Sequence, residues 1–166
     1  MDILLERRSV RDYTKKHVKN KDIQYILHAG MSAPSAKNTK CYSFIVIKNK
    51  ETHKKIANIL KGAQMILKAP LAILIVGDEN KSYEQYFQQD CSAATQNILL
   101  AATAKKYGSV WCGIYSNKDR EEKIQKLFKL PNNIKPFSIV VIGKNANKPQ
   151  NKNNWDTKKI YYELWE

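Results

Sequence analysis

The run "LAILIVG" at residues 71–77 is apolar at every position. A strand with one wet face alternates apolar and polar residues. An unbroken run therefore predicts a strand covered on both faces, at the middle of a sheet. "FSIVVIG" (137–143), "YSFIVIK" (42–48) and "SVWCGIY" (109–115) supply three more strands rich in β-branched and aromatic residues. Between them the spacing becomes helical. Ile23, Ile26, Leu27 and Ala29 or Gly30 form a stripe over 20–31, with Pro34 just beyond. A short helix is expected to start at Asp2, a good N-cap, and to end near the first arginines. Another is expected over about 52–60, followed by a turn through "AQMILKA", and a charged amphipathic helix over 119–128. The longest helix is predicted over 82–107, ended by Gly108 at C′. Its middle, "CSAATQNILLAATA", is small or apolar nearly all round, so it should be buried by the sheet and by something else as well.

From residue 144 the chain is polar and rich in Asn and Lys, and then turns aromatic: "WDTKKIYYELWE". A solvated tail does not usually carry Trp155, Tyr161, Tyr162, Leu164 and Trp165. It is expected to pack, on its own domain or on a partner. No repeat and no linker between two cores is visible, and 166 residues suit a single domain. The alternation of helices and strands first suggests a doubly wound nucleotide-binding fold. Yet no strand leads into G-x-G-x-x-G or G-x-x-x-x-G-K-[ST]. A phosphorylated ligand would need another device.

Composition narrows the classes. Net charge is +14, but the lysines run along the whole chain, often mixed with asparagine, which reads as a solvated surface. Aromatics are not interleaved with lysine on one surface, so no nucleic-acid partner is expected. No stretch approaches about 18 apolar residues, so no membrane span is expected. The N-terminus "MDILLERRSV" carries acid early and lacks the apolar run of a secretory signal, which makes the cytoplasm the expected compartment. Cys41, Cys91 and Cys112 are scattered and odd in number, and with His17, His28 and His53 they form no zinc-ligand spacing. No metal site is expected.

Three stretches carry candidate chemistry. The chain has four arginines, and Arg7, Arg8 and Arg11 fall in the single stretch "ERRSVRDYT". Arginine offers a planar fork that matches a phosphate bidentately, whereas lysine is a mobile point charge. Ser9 adds a hydroxyl. A solvated basic helix end would look the same in isolation. In "APSAKN" (33–38), Pro34 stiffens a loop, Ser35 and Ala36 let backbone N–H groups approach a flat ligand, and Asn38 both donates and accepts. An ordinary surface turn has the same composition. In "VWCGIY", Gly113 inside a strand marks a bulge or a close approach, to a ligand ring or to another segment.

In order and spacing these stretches resemble the FMN-dependent nitroreductase family. Its N-terminal R-R-S-x-R is Arg7-Arg8-Ser9-Val10-Arg11 here, and its P-S-A-x-N loop is Pro34-Ser35-Ala36-Lys37-Asn38. Its long-helix pattern D-x-x-x-A-x-x-N is similar to Asp90, Ala94 and Asn97, and its W-x-G to Trp111-Cys112-Gly113. The resemblance implies an α+β fold, a three-layer α/β/α sandwich with a mixed, mainly antiparallel sheet. It implies a homodimer with FMN at the subunit interface, the long helix packed on its mate and the segment from about 144 to 166 reaching across it. Arg7, Arg8, Ser9 and Arg11 would then hold the FMN phosphate and ribityl chain. Pro34, Ser35, Ala36 and Asn38 would line the isoalloxazine from the other subunit, and Cys112 and Gly113 would offer backbone contacts near its reactive edge. The chain departs from the family where Lys40-Cys41-Tyr42 replaces Q-P-W. It departs again where Asn154 stands at a usually basic position before Trp155-Asp156; Lys152 is the candidate substitute, the alternative being that the phosphate relies on the N-terminal arginines alone.

The implied activity is transfer of hydride from NADH or NADPH, through the flavin, to an electron-poor small-molecule acceptor such as a nitroaromatic or quinone. The flavin carries the chemistry, so no catalytic side chain is named. Two alternatives stay open: a dehalogenase-like or flavin-modifying member of the same family, and a basic module that binds nucleic acid or an anionic partner.

Overall fold

The computed structural model describes residues 2–147 and 154–165; Lys152 lies outside them. The four expected strands form one sheet: β1 (Tyr42–Ile47), β2 (Leu71–Asp78), β3 (Gly108–Gly113) and β4 (Ile134–Gly143). Their order is β1-β2-β4-β3, and all three pairings are antiparallel. A single parallel bridge joins Ser9 to Ser109 at the outer edge of β3. The doubly wound parallel sheet that simple alternation suggests is therefore not the one formed.

As its pattern predicts, β2 lies inside the sheet and is buried from Leu71 to Gly77. Leu71, Ile73 and Ile75 enter one apolar core, with Ile23, Ile26, Ala94 and Ile98 from α2 (Asn20–Met31) and α4 (Phe87–Ala104). Ala72, Leu74 and Val76 enter the other, with Ile56 of α3 (Lys50–Ile59) and Ile124 of α5 (Lys118–Phe128). Two cores, one on each face, make the three layers. The first turn of chain, α1 (Ile3–Glu6), is capped by Asp2, whose carboxylate accepts from the Leu4 and Leu5 amides.

The long helix is shorter than its pattern suggests. It begins at Phe87 instead of residue 82, because Glu84 takes a left-handed φ of 47° and breaks the turn before it. It ends at Ala104, and Gly108 is not its cap. Lys106, at φ 60°, occupies the left-handed position; its amide reaches Thr103 O and the Tyr107 amide reaches Ala102 O. That is a Schellman ending with lysine where glycine is usual. Gly108 instead opens β3, where a Cβ would collide with Asn145 and Val10.

β2 and β4 pair with one irregularity. Ile75 faces Ser138 and Val76 faces Pro136, so Phe137 is the extra residue of a β-bulge. Pro136 brings no N–H, and such a site tolerates it. The Phe137 carbonyl accepts from both Ile114 and Tyr115, which turns the chain out of the sheet just after Gly113. Among the described residues no helix is long and apolar enough to cross a membrane.

His53 is fully buried on α3, with Nε2 donating to Ile47 O at 3.2 Å. Burial holds its pKa below the ordinary 6.5. Below that value the unfolded chain binds a proton that the folded chain refuses, so stability falls as pH falls. Thermal melts from about pH 7.5 to about 5.5 should show a decline that His53→Gln flattens.

Candidate functional site

The arginine stretch is held at both ends. Upstream, α1 is capped by Asp2. In the middle, the Ser9–Ser109 bridge is extended by the Val10 amide, which donates to Ser109 O at 2.9 Å. Downstream, Tyr13 is buried, and its hydroxyl lies 2.5 Å from Val10 O and 3.2 Å from Val141 O. Burial raises its pKa, so it remains a neutral donor. The stretch thus adds to β3 as a short outer rung, and its arginines project from a fixed backbone. The Arg8 guanidinium turns back to Leu5 O and Arg7 O, at 2.5 and 2.8 Å. Arg7 and Arg11 are different: among the described residues neither guanidinium makes a hydrogen bond or ion pair.

Arg11 meets Cys112 and Gly113 at a cavity of about 210 Å³, together with Gly62, Met65 and Arg120. A Cβ on Gly62 or on Gly113 would find nothing within 4 Å. Both glycines therefore leave open space beside the backbone, as the approach of a flat ring requires. Among the described residues no other segment takes that space. Burial pushes the Cys112 thiol up to about 11, against a downward pull from Arg11, so it is a neutral wall of the site. Arg120 and Gly62 were not found by sequence reasoning. Arg120 had a signal, being the fourth arginine of a lysine-rich chain; Gly62 had none, since it stands in an ordinary turn (Lys61–Leu67).

The Pro34–Asn38 loop lies elsewhere. It does not line that cavity, so one chain brings together Arg11, Cys112 and Gly113 but not Pro34, Ser35, Ala36 and Asn38. The loop is a 3₁₀ turn, Ala36–Asn38, with left-handed φ at Lys37 (49°), Asn38 (56°) and Lys40 (47°). Asparagine tolerates that region, but a lysine there costs about 1–2 kcal/mol, so the surroundings must impose the shape. Three groups do. Asp90, buried in the first turn of α4, accepts from the Ala36 amide at 2.9 Å and from the Cys41 thiol at 3.4 Å. Ser35 Oγ accepts from the Lys40 amide at 2.9 Å. Tyr42 Oη donates to Ala33 O at 2.6 Å. Burial first, then the hydrogen bond and charge of Asp90, push Cys41 up to about 11, so the thiol keeps the proton that it donates.

A larger cavity, about 900 Å³, lies away from both groups. Val18, Ile23 and Leu71 line it, along with Lys15, Lys48 and Lys50. The aromatic tail stays outside both cores: Trp155, Tyr162 and Trp165 are 74%, 82% and 79% exposed.

A cavity at the edge of a three-layer sandwich, walled by glycines and arginines, defines a candidate site for a flat anionic ligand. The Nitroreductase family model matches residues 4–79 and 60–144 of the chain. A protein of Methanothermobacter thermautotrophicus named for NADH dehydrogenase/NAD(P)H nitroreductase activity is 37% identical over 166 residues, covering 99% of this chain and 87% of that one. A crystal structure from Bacteroides thetaiotaomicron bearing the same activity name superposes with a TM-score of 0.95 at 41% identity, covering 99% of this chain and 96% of that one. A nitroreductase from Desulfovibrio desulfuricans, solved in complex with FMN, superposes at 0.84 with 25% identity, covering 99% and 96%. The chain belongs to the nitroreductase family.

Asp90→Ala leaves the Ala36 amide without its acceptor in a partly buried place. The expected loss is about 1–3 kcal/mol in chemical denaturation. Amide exchange at Ala36 should quicken with it, and Asp90→Asn, which keeps an acceptor oxygen, should lose less.

Proposed function

We propose that this chain is an FMN-dependent oxidoreductase that passes reducing equivalents from NADH or NADPH to an electron-poor acceptor, a nitroaromatic or quinone, and works as a homodimer. The observation that carries the reading is the open space beside Gly62 and Gly113, at a cavity that Arg11 also lines. FMN supplies two-electron redox chemistry that no side chain has. The residues present suit it. Arg7 and Arg11 are forks without a partner among the described residues, on a fixed backbone with the exposed Ser9 between them, able to bind a phosphate and the polar chain beyond it. The backbone of Cys112 and Gly113 offers hydrogen-bonding groups where the ring would lie, and preorganised donors there would stabilise negative charge. Lys152 would add a cation if it reaches the phosphate.

A cavity of about 210 Å³ is smaller than the roughly 300–1,000 Å³ usual for a ligand pocket. That favours a site completed by a second chain, with Pro34, Ser35, Ala36 and Asn38 of its rigid loop as the other wall. The tail supports the same reading. Leu164, Trp165 and Glu163 are apolar, aromatic and acidic, and they complement the 900 Å³ cavity of apolar and lysine residues on a second copy. The half-buried outer residues of α4, Ser92, Ala93 and Leu100, are small or apolar enough to pack against their counterparts.

The purified protein should be yellow, with flavin bands near about 370 and 450 nm. Arg7→Ala with Arg11→Ala should weaken FMN binding by about tenfold or more, measured as flavin released on dilution, while the melting curve of the apoprotein barely moves. Colourless protein that does not take up added FMN sinks the reading. Light scattering should give twice the 19.2 kDa chain mass, and removal of residues 155–166 should shift it toward the monomer.

A further inference from the structure

The cavity of about 210 Å³ at the end of β3 has no room for an acceptor as well as a cofactor ring, so the acceptor needs a seat beside it. The Pro34–Asn38 loop leads to one. Lys37 Nζ lies 5.6 Å from the centre of the Tyr83 ring. Tyr83 in turn stacks on Tyr86, with ring centroids 6.2 Å apart and planes 12° from parallel. The two residues are 40% and 42% exposed, and among the described residues neither hydroxyl has a hydrogen-bond partner. Tyr86 also walls a cavity of about 550 Å³, together with Glu84, Gln85, Gln88 and Gln89. That volume is ordinary for a small ligand. Among the described residues no Lys or Arg lines it, in a chain of net charge +14. An adjoining cavity of about 370 Å³ shares Glu84, Gln85 and Gln88 and reaches Tyr115, two residues past Gly113. The tyrosine segment is fixed at both ends. The Lys81 and Ser82 amides donate to Asp78 O, and Tyr86 O accepts from the amide of Asp90, the residue that also holds the Ala36 amide. The exposed rings thus keep a set place between the loop and the far side of Gly113.

We propose that Tyr83 and Tyr86 are specificity residues, a platform on which a flat, uncharged, electron-poor acceptor such as nitrotoluene stacks. The inference rests on the oxidoreductase reading and names its substrate class. A ring laid on an exposed aromatic face takes apolar surface out of water and adds a stacking contact. The negative face of a phenol ring suits an electron-poor partner. The Gln85 and Gln89 amides, which have no partner among the described residues, can donate to nitro or carbonyl oxygens without asking for a charge on the acceptor. Glu84 makes no ion pair among the described residues, and its carboxylate on the same wall disfavours an anionic acceptor.

The probes are 4-nitrotoluene, 4-nitrobenzenesulfonate, which shares its ring and adds a charge, and ferricyanide, which has no ring to stack. In the FMN-loaded protein, Tyr83→Leu or Tyr86→Leu should lower the ratio of kcat/KM for nitrotoluene to that for ferricyanide about fivefold, through KM. Tyr86→Phe, which keeps the ring, should restore the ratio. Glu84→Gln should raise the sulfonate-to-toluene ratio about twofold, and added salt should do the same, because Glu84 is exposed. A readout without turnover is calorimetric titration of nitrotoluene into the oxidised protein with no reductant present; the Leu variants should bind it about fivefold more weakly. The inference is overturned if the Leu variants keep the ratio, or if both acceptors slow alike, which would make the tyrosines structural. It is also overturned if light scattering finds the Leu variants monomeric where the wild type is a dimer, which would assign the rings to the contact between copies. An unchanged sulfonate ratio in Glu84→Gln overturns the selection against charge. Each of these results in a yellow protein leaves the oxidoreductase reading standing. A protein that holds no FMN sinks both.

Discussion

The burial of β2 on both faces is the constraint from which the rest of the architecture follows. A strand that is apolar at every position has no wet side, so helices must cover the sheet above and below. The interior strands are then closed to chemistry. Backbone groups remain free only at the edges, β1 and β3. At β3 the arginine stretch adds a partial rung, and the bulge at Phe137 turns the chain away after Gly113. The cavity opens where sheet pairing stops. Its place is set by the end of hydrogen bonding in the sheet, and the turn at Lys61–Leu67 supplies the other wall.

The geometry of the candidate site is maintained from outside it. Tyr13 points its hydroxyl at backbone carbonyls and sits in the core, so the chain on either side of Arg11 cannot drift. Asp90 does the same for the Pro34–Asn38 loop, from the first turn of a helix whose N-terminal dipole favours a carboxylate. Neither residue lines the glycine-walled cavity. Both are buried polar groups with satisfied partners, the kind that specify one arrangement among several of similar apolar content.

Much of this was legible in the sequence because it is local. The apolar run at 71–77 marked the central strand, the stripe at Ile23 and Ile26 marked α2, and three arginines in five positions marked a place where geometry matters as well as charge. What escaped depends on distant partners. Lys106 serves as the left-handed cap of α4 although Gly108 stands two residues on, because Gly108 is needed where Val10 and Asn145 crowd β3. The early break at Glu84 has no composition signal. The bulge at Phe137 exists only in the pairing of β4 with β2. Arg120 joins Arg11 through folding that brings α5 beside the N-terminal stretch, and no spacing rule reaches across that separation.

The left-handed residues of the Pro34–Asn38 loop have a further consequence. Lys37 and Lys40 hold conformations that their own side chains do not favour, so much of the information for the loop's shape is stored in Asp90, Ser35 and Tyr42. Shape and surface chemistry are therefore written at different addresses. The exposed side chain of Lys37 can be exchanged without rewriting the backbone that presents it. Such a division lets a lineage revise what the loop touches one residue at a time, while the scaffold that aims it stays under separate selection.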